Sequence, residues 1–213
     1  MQLMDTTNTI FYIVVLIMSV IIHEVSHGFM AEKFGDKTAR LAGRLTLNPI
    51  PHLDLFGSII LPVLLIVTHA GFLFGWAKPV PYNPNNLTNR RWGTLAVASA
   101  GILANLFIAI IFGVFIRLGV YFDYANPSFY FICGLIAFVN LLLAFFNLMP
   151  FPPLDGSKIL FSFLPARFAR FEDLLERYSI IIFLLFIFFI WDRIFPGVFY
   201  VYHLLVGSAP SFF

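Results

Sequence analysis

The amino-acid sequence predicts an all-α polytopic membrane protein with about four to five transmembrane helices. Of the 213 residues, 60% are apolar and only 11% are charged, whereas soluble domains usually carry about a quarter charged residues. Mean hydropathy is +0.91, and 28 residues are phenylalanine. Such a chain cannot cover a water-facing surface, and its length corresponds to a single domain, residues 1–213.

Four apolar stretches are long enough to be transmembrane helices, since crossing roughly 30 Å of hydrocarbon takes about 20 helical residues. They are residues 10–30, 95–118, 129–148 and 179–194, and an apolar tail follows at 195–206. Each of the four is predicted to span the membrane.

A fifth apolar stretch, residues 55–74, is interrupted by Gly57, Pro62, His69 and Gly71. Both of its flanks carry basic residues, which favour the cytoplasmic side of a membrane. We therefore expect a membrane-embedded hairpin that enters and leaves on that side. The alternative is a fifth full span, which would break the charge rule at one flank.

The loop charges predict the orientation of the chain. The connections after the first and third spans are rich in lysine and arginine, whereas the turn 119–128 contains Asp123 and no basic residue. Basic loops are retained in the cytoplasm, so the N-terminus is predicted to lie outside.

Composition excludes several classes of protein. A net charge of +2 gives no electrostatic support for a nucleic-acid partner. The single cysteine, Cys133, rules out an intrachain disulfide and a zinc site that uses two or more cysteines of this chain. No internal repeat is visible, which weakens the case for a transporter built from inverted halves.

A metal-binding pattern, HEVSH at residues 23–27, lies at the end of the first apolar stretch. His23 and His27 are four residues apart, so they share one face of a helix and can reach one zinc ion. Glu24 stands where it can take a proton from a metal-activated water. Burying these side chains near the bilayer costs several kcal/mol unless they are paired or ligated, so a metal site is favoured over a polar helix end.

A catalytic zinc normally takes a third protein ligand. The candidate acids are Asp54, Asp123, Asp155 and Asp192. Asp155 follows the third span, where Pro150 and the prolines after it would break the helix. An interrupted helix can turn a carboxylate into a shielded cavity, and Asp155 could equally cap the next helical turn.

Four segments occur in a characteristic order: HEVSH at 23–27, GWAKPVP at 75–81, AGILAN at 100–105 and NLMPFPPLDG at 147–156. Together they resemble the site-2 protease family of intramembrane zinc metalloproteases, in its compact type without PDZ or CBS domains. The resemblance covers essentially the whole chain. It implies a three-helix catalytic core within about residues 10–160 and a C-terminal helix region at 161–213.

The resemblance also implies one Zn²⁺ per chain, with His23, His27 and Asp155 as ligands and Glu24 as general base. Asn147 is expected near the carbonyl of the cleaved peptide bond.

Asn105 is a weaker candidate for the same task as Asn147. Family members often have proline where this chain has Ile102, so the role of Asn105 is less secure.

The activity implied by the resemblance is intramembrane zinc endopeptidase: hydrolysis of peptide bonds in or near transmembrane segments of membrane proteins or remnant signal peptides. The implied setting is a prokaryotic inner membrane, with the site toward the cytoplasmic half. The partners are a transmembrane substrate and the lipid bilayer, and no nucleic acid; a homo-oligomer or a regulatory membrane partner stays open. The alternative is a non-proteolytic membrane zinc-binding protein or a transporter.

The other polar residues leave alternatives open. His52 and Asp54 could form a second metal site, a latch or a polar loop. His69 could line a water path or lie at the membrane interface. Residues 76–84 form a candidate edge strand for an unwound substrate, and residues 167–177 predict an amphipathic helix at the lipid headgroups.

Overall fold

A computed structural model describes residues 6–68 and 77–207, and within these ranges it contains helices and loops but no β-strand. The helices are α1 Thr6–Lys33, α2 Thr38–Leu41, α3 Leu61–Val67, α4 Arg90–Tyr121, α5 Pro127–Asn147, α6 Asp155–Phe163, α7 Ala169–Arg177, α8 Ser179–Phe189 and α9 Trp191–Val206. Shorter helical turns occupy Ile50–His52, Leu55–Ile60, Pro84–Asn86 and Ala166–Phe168. The predicted all-α class is confirmed.

Three helices, α1, α4 and α5, are long and apolar enough to cross a membrane. They coincide with the first three predicted spans to within a few residues at each end, and each begins before its apolar run. Capping explains the early starts of α4 and α5. The side chain of Asn89 accepts a hydrogen bond from the Trp92 amide, and that of Asn126 accepts one from the Phe129 amide, which satisfies otherwise unpaired helix N–H groups.

The fourth predicted span is divided into two helices. α8 and α9 are bent by 67° at the break between them, and only together are they long and apolar enough to cross a membrane. Asp192 and Arg193 are exposed at the start of α9. A straight helix would carry both charges into the hydrocarbon, where they are costly. The mean hydropathy of the stretch does not by itself indicate the bend.

The three long helices form the three-helix core that the resemblance implies, with α4 in contact with α1, α5 and α6. Small residues, including Ala98, Gly101 and Ala109, are buried along α4 and allow neighbouring helices to approach closely. α9 packs against the C-terminal half of α4 and the N-terminal half of α5, where Phe138 contacts Phe199 and other rings of α9. The C-terminal half of α1 faces α4 and the N-terminus of α6.

A segment without regular secondary structure, residues 77–83, lies between α3 and α4 and is here named the strap. Arg44 donates from Nη2 to the carbonyls of Lys78 and Pro79, at 2.9 and 3.1 Å. The Lys78 amide donates to the carbonyl of His52 across 2.8 Å. These contacts fix the first half of the strap against the loop after α2. Residues 76–84 were the candidate edge strand; the strap has no strand partner within the described ranges, and Trp76 lies outside them.

The predicted hairpin is only partly described. Six residues of π-helical turn, Leu55–Ile60, continue into the seven residues of α3. That run is shorter than the roughly 20 residues of a full span. The remainder of the segment, with His69, lies outside the described residues, so the hairpin stays a prediction.

Candidate metal centre

Two elements supply the three candidate ligands. α1 presents His23 and His27 one turn apart on its buried face, where their exposures are 5% and 7%. Asp155 is the first residue of α6 and is 7% exposed. A Cβ added to Gly156 would lie 2.2 Å from the carbonyl oxygen of Leu148, so the N-terminus of α6 sits directly on the end of α5. The predicted helix break at the prolines therefore brings Asp155 back to α1.

The three ligand atoms converge on one point. Oδ2 of Asp155 lies 3.1 Å from Nε2 of His23 and 3.0 Å from Nε2 of His27. The two Nε2 atoms are 3.0 Å apart. Among the described residues, this is the group of three side chains that could hold a metal ion. The alternative in which Asp155 caps a helical turn is not what the structure contains, since Leu154 is the N-cap of α6 and the carboxylate of Asp155 faces His23, His27 and Lys158.

The hydrogen bonds of the two imidazoles decide their tautomers. His27 donates from Nδ1 to the carbonyl of Val97 across 2.7 Å, and His23 donates from Nδ1 to Oδ1 of Asn105 across 2.6 Å. A neutral imidazole carries one N–H, so both Nε2 lone pairs face the carboxylate of Asp155. Three electron-pair donors at this spacing repel one another unless a cation lies between them. Tetrahedral zinc with nitrogen ligands at 2.0–2.1 Å would space its ligands by about 3.3 Å, which fits.

A buried network of polar side chains lies on the Nδ1 side of His23, away from Asp155. The Asn105 amide donates from Nδ2 to Oδ1 of Asn140, at 2.8 Å, and to the carbonyl of Ser19, at 3.3 Å. Asn140 donates in turn to Oγ of Ser19 across 2.8 Å. Each of these three residues is at most 3% exposed. The network orients the Asn105 amide so that its oxygen meets His23.

Ser19 and Asn140 are not among the residues predicted for the site from sequence. Two signals were present. Ser19, His23 and His27 are spaced by four residues along one face of α1. Asn140 is a polar residue in the middle of an apolar span, where such residues usually have a partner.

The absence of a side chain at Gly101 leaves room for the imidazole rings of His23 and His27. A Cβ at this position would lie 2.6 Å from Cε1 of His23 and 2.6 Å from Nε2 of His27. α4 therefore packs its backbone directly against the two candidate ligands, and a side chain there would displace one of them.

Glu24 and Lys158 border the centre. Oε2 of Glu24, which is half-buried, accepts a hydrogen bond of 2.9 Å from the Val80 amide of the strap. Nζ of Lys158 lies 3.3 Å from Oδ1 of Asp155 and 5.7 Å from the centre of the Tyr82 ring. The strap thus contacts both Glu24 of the HEVSH segment and the cation beside Asp155.

Electrostatics make Asp155 an anion. Burial alone raises the pKa of its carboxyl, but hydrogen bonds from His23 and His27, whenever their Nε2 atoms carry a proton, and the charge of Lys158 lower it further than burial raises it. For the Lys158 ammonium, burial lowers the pKa, and the nearby charges, that of Asp155 foremost, outweigh burial and raise it. Both groups are therefore charged at neutral pH.

The remaining predicted residues lie in different surroundings. Asn147, half-buried at the end of α5, donates from its amide to the carbonyl of Leu143 across 3.0 Å. His52 is 1% exposed and donates from Nε2 to the carbonyl of Thr46, and Oδ1 of Asp54 accepts from the Gly57 amide. Neither belongs to a second group of three metal-binding side chains within the described residues.

A buried centre of two histidines and one aspartate, built on helices of membrane-spanning length, defines an integral membrane metalloprotein. A family model, Peptidase family M50, matches residues 120–190, which include Asp155. The chain is 39% identical over 180 residues to a Bacillus subtilis protein named "Putative zinc metalloprotease YwhC", and the match covers 82% of this chain and 78% of that protein. The chain belongs to peptidase family M50, the site-2 protease family, and is a membrane zinc metalloprotease.

Two less similar relatives are also named as putative zinc metalloproteases. "Putative zinc metalloprotease Rip2" of Mycolicibacterium smegmatis is 31% identical over 71% of this chain and 59% of its own length. The Mycobacterium tuberculosis protein of the same name is 34% identical over 66% of this chain and 52% of its own length. The match thus spans little more than half of these mycobacterial relatives. No solved structure matches the chain significantly.

Proposed function

We propose that this protein is an intramembrane endopeptidase that uses one zinc ion per chain to hydrolyse peptide bonds in or near transmembrane segments of membrane proteins or remnant signal peptides, as a step of regulated intramembrane proteolysis. The observation that carries the proposal is the convergence of His23, His27 and Asp155 beside Glu24. Family membership and the helices of membrane-spanning length support it.

The ligands in this proposal are Nε2 of His23, Nε2 of His27 and Oδ2 of Asp155. Zinc, when bound, supplies a Lewis acid that polarises the peptide carbonyl and acidifies a water molecule. Glu24 accepts one proton from the attacking water and delivers it to the leaving nitrogen as the C–N bond breaks. Its hydrogen bond from the Val80 amide leaves Oε1 for this proton transfer.

The two asparagines receive different roles. We propose that Asn147 turns its amide from the Leu143 carbonyl toward the substrate, where it donates to the negative charge that develops on the carbonyl oxygen. The amide of Asn105 is 0% exposed and is engaged by His23, Asn140 and Ser19. We therefore propose that Asn105 acts on the ligand His23 instead of on the substrate.

The substrate must unwind before it reaches the centre, because the carbonyls of a transmembrane helix are already hydrogen-bonded. The strap is non-helical and donates a backbone hydrogen bond to Glu24, so it is the segment on which we propose that the unwound peptide lies, paired through its backbone like an added strand. Helix-breaking residues in the substrate are then expected to favour cleavage.

The test combines zinc content per purified chain with cleavage of a single-span membrane substrate in proteoliposomes. Wild type and Glu24→Gln should each hold about one zinc, and His27→Ala little. Only the wild type should cleave. Glu176→Gln, at an exposed position on α7, is the matched control and should match the wild type. Cleavage by Glu24→Gln at the wild-type rate would contradict the mechanism. Zinc binding without cleavage by the wild type would favour a non-proteolytic zinc-binding protein.

The proposed setting is a prokaryotic inner membrane, with the N-terminus outside and the centre in the cytoplasmic half. Bacterial relatives and the basic loops support it. Reporter fusions at Asn86 and Ala125 test the orientation: a cytoplasmic signal at Asn86 and an external signal at Ala125 are expected. An external signal at Asn86 would contradict both the orientation and the hairpin.

A further inference from the structure

The carboxylate of Asp155 divides its two oxygens between different partners. Oδ2 faces Nε2 of both His23 and His27, at 3.1 and 3.0 Å. Oδ1 lies 3.3 Å from Nζ of Lys158, which is three residues further along α6. The side chain of Asp155 is 9% exposed and that of Lys158 is 40% exposed, so the lysine approaches a buried ligand from the open side of the site.

This division matters for a catalytic metal. A carboxylate can bind a cation through one oxygen or through both. A catalytic zinc site keeps one coordination position for water or substrate beside its three protein ligands. If both oxygens of Asp155 bound the metal, the second would compete for that position. Groups that hydrogen-bond to a ligating carboxylate orient it and influence the affinity for the metal.

We propose that Lys158 is a positioning residue that holds Oδ1 of Asp155, so that Asp155 ligates the metal through Oδ2 alone and the fourth position stays open. This inference rests on the proposed metal site. It adds a residue that the sequence analysis had not included among its candidate site residues.

The surroundings of Lys158 distinguish it from an ordinary surface pair. Exposed pairs three residues apart on a helix contribute little. Here the acceptor is a buried ligand, and the ammonium also stands 5.7 Å from the centre of the Tyr82 ring in the strap, a cation–π distance. The strap in turn donates to Glu24 through Val80. Lys158 therefore lies between the third ligand and the segment that contacts the general base.

The test replaces zinc with Co²⁺ and uses Co²⁺ itself as the probe, so the readout does not depend on cleavage. Wild type should give the intense visible absorption of a four-coordinate ion. Lys158→Met should give the weaker absorption of a five-coordinate ion, because Oδ1 becomes free to bind, and its affinity in competition with a chelator should fall roughly 10- to 100-fold. Lys158→Arg keeps a cation beside Oδ1 and should restore both properties. Lys33→Met, at an exposed lysine at the end of α1, is the control.

The outcomes separate the two proposals. Unchanged absorption and affinity in Lys158→Met would overturn the role of Lys158. If that variant does not fold, as judged by its thermal unfolding, Lys158→Gln decides by the same two measurements. Failure of the wild type to bind Co²⁺ would overturn both the metal site and the role of Lys158. A four-coordinate wild type that cleaves no membrane substrate would contradict proteolysis, while a changed Lys158→Met spectrum would still support the positioning role.

Discussion

The backbone amide of Val80 donates a hydrogen bond to Oε2 of Glu24 across 2.9 Å. The strap can lie this close to α1 because Gly28 follows His27: a Cβ at Gly28 would come within 2.8 Å of Cγ1 of Val80 and 2.5 Å of Cδ2 of Leu45. A backbone donor cannot rotate away as a side chain can. Arg44 holds the strap on one side of Val80, and Glu24 therefore has one oxygen in a fixed position.

Removing this donor should slow catalysis without removing zinc. Val80→Pro deletes the N–H group, and hydrogen bonds to charged groups contribute about 1.5–3 kcal/mol. We expect the cleavage rate to fall roughly 10- to 100-fold, with zinc content unchanged. Val80→Ala keeps the donor and is the control. An equal loss in Val80→Ala would show that the side chain of Val80, which is 5% exposed, matters instead of its amide.

A side chain at Gly101 should expel the metal. The added Cβ of Gly101→Ala would lie 2.6 Å from atoms of both His23 and His27, and hydrogen bonds to Asn105 and Val97 prevent the rings from moving freely. We expect zinc affinity to fall roughly tenfold or more. Gly197→Ala is the matched control, since a Cβ at Gly197 meets nothing within 4 Å. Zinc affinity equal to that of the wild type in Gly101→Ala would contradict the close packing of α4 on His23 and His27.

Asn105 should affect the metal instead of the substrate. Asn105→Leu removes the acceptor for Nδ1 of His23 and leaves Asn140 without one of its partners. Zinc affinity is expected to fall roughly 10- to 100-fold, and Asn105→Asp, which keeps an acceptor oxygen, should retain more of it. The measurement is competition with a chelator. Slower cleavage at unchanged zinc affinity would instead assign Asn105 to the substrate, as the family resemblance implied.

The placement of His23 and His27 side by side could be predicted from sequence because it is local: a spacing of four residues places two side chains on one face of any helix. Apolar length likewise predicted α1, α4 and α5. The partners of Asn140 could not be assigned in this way, because its contacts join different helices and depend on how each helix is rotated when it packs. Lys158 lies only three residues from Asp155 on α6, but the approach of that helix to α1 and to the strap is not local. The hydrogen bond between Val80 and Glu24 uses a backbone group, which the sequence of side chains does not reveal. The bend between α8 and α9 was missed because hydropathy records length and not direction.

Asp36 should stabilise the fold in a pH-dependent way. Its carboxylate is 0% exposed and joins the end of α1 to the end of the strap. Oδ2 accepts from the Asn83 amide at 2.6 Å, and Oδ1 accepts from Nδ2 of Asn86 at 2.9 Å and from the amide and hydroxyl of Thr38. Burial raises the pKa of this carboxyl, but these hydrogen bonds lower it further, so the net shift is downward.

A lowered pKa in the folded state determines the sign of the effect. The stabilisation is fully present above the unfolded-state pKa of about 3.9, and it is lost as the pH falls through the lower folded-state pKa. In Asp36→Asn, the new NH2 group faces donors that the carboxylate accepts from in the wild type. The substitution should therefore lower the free energy of unfolding at neutral pH by about 1.5–3 kcal/mol. The difference in the free energy of unfolding between Asp36→Asn and wild type should become smaller below about pH 4. Thermal unfolding in detergent across this range measures it, with Asp173→Asn, at an exposed position on α7, as control. A difference that widens on acidification would contradict the assigned role, because a protonated Asp36 cannot accept these hydrogen bonds as an anion does.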